Sequence, residues 1–145
     1  MIGIEKQVTG RELSEALKKA GYPQKGLWWW VHNYGQGNNL DTAYWTIRQD
    51  DDSTCGWRGN KSQLGIHACI VAPTFTEVWD KLPICIEKDG IVYDLIMLKT
   101  VGKTKRTVII YRNNLLNKLV NAYGDENPAG SVSKMWLYLK EKNLL

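Results

Sequence analysis

The chain has 145 residues, 43% of them hydrophobic and 23% charged, which predicts a single domain over 1–145 and excludes a disordered tail, a coiled coil or a collagen-like chain. Nineteen Lys plus Arg against fifteen Asp plus Glu leave a net charge of +4, milder than the basic footprint of a dedicated nucleic-acid binder. Three cysteines cannot pair completely, and no stretch has signal-peptide or bilayer-spanning length; the expectation is a cytoplasmic protein with reduced thiols and no membrane contact.

The first helix is signalled by Thr9 as cap, Glu12 three residues on, and a stripe of Leu13, Ala16, Leu17 and Ala20 ending at Gly21. Two aromatic strands follow, at about 27–33 and 42–49, joined by a loop of turn residues. Residues 50–64 are polar and read as a long loop. Thr74 and Glu77 make a second capping box for a helix over about 75–82, stopped by Pro83. Strands at about 84–88, 91–99 and 106–112 form a meander, with Asp89-Gly90 as a hairpin turn and Gly102 in the next turn. Residues 113–124 are ambiguous; Leu115, Leu116, Leu119 and Val120 fit a short helix. The last helix starts at Asn127-Pro128 and buries Ala129, Val132, Trp136 and Leu139. The predicted class is α+β: one antiparallel sheet of about five strands, with three or four helices packed mainly on one face.

Catalytic and metal motifs fail on their spacing. Gly102-Lys103-Thr104 imitates the end of a phosphate-binding loop, but the required earlier glycine is Met97. Gly35-Gln36-Gly37 lacks the third glycine of a dinucleotide fingerprint, because position 40 is Leu. Asp50-Asp51-Asp52 would need Gly at 55 and Glu at 61 for a calcium loop, and the chain has Cys55 and Lys61. Cys55, His67, Cys69 and Cys85 supply zinc-ligand types without a closely spaced cysteine pair. No nucleophile elbow occurs, and only His32 and His67 titrate near neutral pH when unperturbed. We therefore expect no cofactor, no metal, no catalytic residues, and no enzyme.

Two surfaces remain. Alternation along the first two strands suggests a face carrying Trp28, Trp30, His32, Tyr44 and Arg48, opposite a core face with Trp29, Ala43, Trp45 and Ile47. That face is either covered by a helix or by the 50–64 loop, or it binds a partner through Trp28, Trp30, Tyr44 and Arg48, or it stacks single-stranded nucleic acid. Lys99, Lys103, Lys105 and Arg106 gather around the Gly102 turn, where they are either solvated or contact phosphates.

The block Ala72-Pro73-Thr74-Phe75-Thr76-Glu77-Val78-Trp79-Asp80-Lys81-Leu82-Pro83 resembles one found in small proteins of gut-bacterial prophages and mobile elements. So do Glu126-Asn127-Pro128-Ala129-Gly130 and Lys134-Met135-Trp136-Leu137-Tyr138-Leu139-Lys140-Glu141, and the opening helix with Ser14-Glu15-Ala16-Leu17 and Gly21. The chain departs from the group at Gly130, where an acidic residue is usual, and in its Trp-rich segment 28–57. The resemblance implies a shared fold and a bacterial host; its motifs are capping and packing patterns and imply no particular activity. The expected role is a non-enzymatic binding module with a protein partner or with itself. Two alternatives stand beside it: a nucleic-acid-binding module using aromatic stacking and the basic tip, and an enzyme of a type that no motif declares.

Overall fold

The computed structural model describes residues 3–49, 66–100 and 102–145. In chain order the elements are α1 (Arg11–Lys19), β1 (Trp28–Asn33), β2 (Tyr44–Gln49), β3 (Ile66–Val71), α2 (Phe75–Trp79), β4 (Cys85–Lys88), β5 (Ile91–Lys99), β6 (Thr107–Asn113), β7 (Lys118–Asp125) and α3 (Pro128–Glu141). The class is α+β, as expected, but the strands form two antiparallel sheets rather than one. The first has the order β2-β1-β3 and the second is the meander β4-β5-β6-β7. Three α-helices accompany them among the described residues, and they do not share one sheet face: α3 packs on β6 and β7 and also against α1 and α2, while α1 packs along β3.

Local chemistry sets the ends of these elements. Thr74 and Glu77 form the reciprocal capping box, with Thr74 N donating to Glu77 Oε2 at 2.8 Å and Glu77 N to Thr74 Oγ1 at 3.4 Å. α1 ends with Gly21 at φ 88°, Tyr22 N bonded to Leu17 O and Gly21 N to Lys18 O, the paired bonds of a Schellman motif. Asp89 and Gly90 both have positive φ, 53° and 74°, as a two-residue hairpin matching strand twist requires. Asn127 Oδ1 accepts from Ala129 N at 3.0 Å, ahead of Pro128 in the first turn of α3.

One expectation is corrected here, and the ambiguity over 113–124 is resolved. Thr9 is not the cap of α1; Gly10 holds that position without a side-chain bond, and Thr9 is fully buried elsewhere. Residues 118–125 form β7, not a helix. Leu115, Leu116 and Leu119 are 96%, 53% and 59% exposed, so their helix-like spacing buries nothing. Asn117 at φ 49° and a bond from Leu116 N to Asn113 Oδ1 build a tight turn instead.

One core joins both sheets. Trp29 and Val31 of β1, Val71 of β3, Leu17, Val78, Ile86 and Tyr93 meet Ile109 and Tyr111 of β6 and Val132, Met135, Trp136 and Leu139 of α3. Trp136 is core, as expected, whereas Trp79 is only half-buried and stacks on Phe75. The open edge of β3 is covered by α1 and the segment after it: Val71 N donates to Gln24 Oε1 at 3.1 Å, and Lys18 Nζ reaches Cys69 O at 3.5 Å. Gly130 is explained by contact, since a Cβ there would lie 2.7 Å from Asp125 Oδ2.

Candidate functional site

The aromatic segment does not present Trp28, Trp30, Tyr44 and Arg48 on one face. β1 pairs with β2 in the register Trp28↔Gln49, Trp30↔Ile47 and His32↔Trp45, so those residues share a face. Tyr44 and Arg48 lie opposite Asn33 and Trp29, on the other side. Side-chain alternation is right within each strand, but the phase between the strands is set by the connection over 34–43, and a one-residue change in pairing reverses every face.

Their surroundings also differ. Trp30 is half-buried and donates from Nε1 to Thr9 O at 2.9 Å, which ties it to the entry of α1. Trp45, assigned to the core by alternation, stacks on His32 at 4.5 Å, with Arg11, the first residue of α1, 5.3 Å from its ring centroid. Arg48 Nη2 donates to Asn33 Oδ1 at 3.4 Å, and Asn33 Nδ2 donates to Val31 O, Tyr44 O and Thr46 Oγ1. Tyr44 is 56% exposed. Of the metal candidates, Asp50–Asp52 and Cys55 lie outside the described residues, as do the 50–64 loop and the side chain of His67. Cys69 is half-buried on β3 in the first sheet and Cys85 exposed on β4 in the second.

The basic turn has a more definite setting. Thr100 N donates to Arg106 O at 3.0 Å and Arg106 N to Thr100 Oγ1 at 3.2 Å, closing the β5–β6 connection. Lys99, Lys103, Lys105 and Arg106 are all exposed. Three of them, Lys99, Lys105 and Arg106, line an open cleft of about 1480 Å³ at this end of the second sheet. Thr100, Gly102 and Thr107 complete the turn's side, and the rest of the lining comes from the segment Glu5–Gln7, from Thr74–Thr76 at the start of α2, and from Asp125–Ala129 where β7 passes into α3. No residue of the first sheet takes part, so the two halves of the stacking-plus-basic-tip expectation belong to different sheets.

The cleft is electrostatically lopsided. Lys6, Lys99, Lys105 and Arg106 make no ion pair among the described residues. Of the three acids in the lining, Asp125 is bonded to Lys134 Nζ at 2.8 Å, which leaves Glu5 and Glu126 unpaired. Burial works to raise the Asp125 carboxyl, but the Lys134 ammonium and the backbone N–H groups of Asn127 and Glu126 outweigh it, and its pKa is lowered. The carboxylate is thus an anchor for the β7–α3 junction, not a free acid. Asn127 fixes the same junction from the other side, donating from Nδ2 to Val8 O at 2.7 Å and so holding the N-terminal wall in place.

Lys6 and Phe75 are members of this cleft that motif reading missed. Phe75, the single Phe of the chain, reads in the sequence as the first residue of a helix and a member of the 72–83 block, and Lys6 as part of the N-terminal segment. Their proximity to the basic turn is a product of tertiary structure. No family model matches the chain, and no curated protein or solved structure matches it either.

Proposed function

We propose that this protein is a non-enzymatic binding module that holds a segment of an anionic polymer in the cleft at the β5–β6 turn, as an accessory protein of a bacterial prophage or mobile element. The observation that carries this is the group of four cations, Lys6, Lys99, Lys105 and Arg106, converging on one cleft without ion-pair partners among the described residues. Charges left unpaired at an open surface gain most from an anion that releases its own counterions on binding. Shape favours a polymer over a small molecule, since the cleft is an open groove and does not enclose a ligand as small-molecule pockets do. The likeness of the 72–83 and 126–141 blocks to prophage proteins supports the accessory role.

The test is retention on an immobilised polyanion as a function of salt. Log affinity should fall with log salt with a slope of about −2 to −3, as expected for three or four contacts to a single-stranded polymer. Replacing Lys99, Lys105 and Arg106 together by Gln should abolish most of that slope while leaving the melting temperature unchanged. A wild-type chain that passes unretained at low salt ends the reading.

A further inference from the structure

We infer that the polymer held in this cleft is single-stranded nucleic acid, with Phe75 as the stacking platform for a base and Lys99, Lys105 and Arg106 as phosphate contacts. The inference rests on the polyanion reading above and adds the identity of the polymer. Phe75 is half-buried and its side lines the cleft, beside the cationic turn. Its ring is backed by Trp79, with centroids 5.4 Å apart and planes 19° from parallel, so a base laid on Phe75 extends an aromatic stack that already exists. A ring braced in this way has little rotameric freedom left to lose on binding.

The combination discriminates among anionic polymers. A basic turn alone would serve any of them equally. An aromatic ring beside a row of cations is the pairing by which proteins hold single strands, because every base has a flat π-face and the backbone supplies the charge. A duplex keeps its bases stacked on one another and offers the cleft only phosphates. An acidic polypeptide offers carboxylates but no base to stack. Thr76, exposed in the same lining, adds a hydroxyl of the kind that positions a phosphate or sugar without reading sequence. Glu5 and Glu126 repel phosphates from their part of the lining, which sets the backbone along the Lys99–Arg106 turn.

Binding of the full chain to fluorescently labelled oligothymidylate of twenty nucleotides tests this, with a duplex of equal length and polyglutamate as competitors. The single strand should bind with a log–log salt slope of about −2, and both competitors should be at least tenfold weaker. Phe75→Leu keeps the apolar bulk but removes the π-face; it should stay folded at the assay temperature, lose part of the stack with Trp79, and bind the single strand roughly tenfold or more weakly. Phe75→Tyr should bind normally. A duplex bound as tightly as the single strand, or Phe75→Leu binding unchanged, overturns the inference while leaving the polyanion reading intact. Polyglutamate competing equally overturns it in favour of an acidic polypeptide. Absence of retention on any polyanion removes both.

Discussion

The hydroxyl oxygen of Thr9 lies 2.7 Å from that of Ser133, although 124 positions separate them in the chain. Thr9 Oγ1 also donates to Pro73 O at 3.0 Å, so Ser133 supplies the proton of the hydroxyl–hydroxyl bond. Both residues are fully buried. Thr9 N donates to the same Pro73 carbonyl at 2.8 Å, and Val8 bridges to Thr74, so this one residue joins the N-terminal segment to the start of α2 and to α3. Those are three of the pieces that frame the cleft. Thr9→Val preserves shape but leaves the Ser133 hydroxyl without its acceptor, while Pro73 O keeps the Thr9 N–H; it should cost about 1–3 kcal/mol, the range for orphaning a buried polar group. Chemical denaturation of Thr9→Val, Ser133→Ala and the double variant should show the pair non-additive, the double costing less than the sum.

Asp125 and Lys134 give the cleft a pH dependence. A lowered folded pKa means that the carboxylate stabilises the fold above its unfolded value of about 3.9, and that this contribution disappears as the pH falls through the lower folded value. The pair is partly exposed and worth at most about 1 kcal/mol. Asp125→Asn should therefore melt slightly below the wild type at pH 7, and the gap should close as the pH falls through the lowered carboxyl value. A gap that persists once the carboxyl is fully protonated would assign the loss to packing and not to charge.

At the alkaline end, Tyr22 and Tyr111 should resist ionisation. Burial pushes both phenols above their ordinary pKa, with smaller contributions from Glu77 for Tyr22 and Cys85 for Tyr111. Tyr111 is fully buried and donates to Pro83 O at 2.6 Å. A raised folded value leaves stability intact below the unfolded pKa of about 10 and erodes it as the pH climbs above that. Absorbance titration should show Tyr22 and Tyr111 ionising only together with the loss of near-ultraviolet circular dichroism. Tyr111→Phe should reduce that late group to one.

What the sequence makes legible is what short-range chemistry decides. The Thr74–Glu77 box, the Asn127-Pro128 start, the Gly21 stop and the Asp89-Gly90 turn each depend on residues within a few positions of one another, and each stands where expected. The errors share a different origin. Leu115, Leu116 and Leu119 have helical spacing, but whether a stripe is buried depends on what faces it, and all three are exposed. Thr9 has the type and position of a cap, but two carbonyls and a hydroxyl from far along the chain compete for its side chain. The basic turn was visible as a run of charges, whereas the cleft needs Lys6, Phe75 and Asn127 brought to it by the packing of α3.

The aromatic face carries the last prediction. Trp30 is held by Thr9 O and is half-buried, and Trp45 lies between His32 and Arg11, so this side of the first sheet is bound to the entry of α1. Trp30→Phe removes the indole N–H and retains most of the apolar contact; about 1 kcal/mol should be lost, the net worth of one hydrogen bond. Trp30→Ala also opens a void and should cost about 2–4 kcal/mol, below the 3–5 kcal/mol ascribed to a fully buried tryptophan because part of the ring meets solvent. Trp29→Ala supplies that upper reference, being 3% exposed with Nε1 bonded to Gly26 O at 3.0 Å. Trp28 has no such tether among the described residues and shares its register position with the exposed Gln49, so Trp28→Ala should be the mildest of the set. The order Trp29, Trp30, Trp28 in denaturation midpoints is the expected result. Trp30→Ala melting with the wild type would detach this face from α1 and return it to the surface as a place for partners.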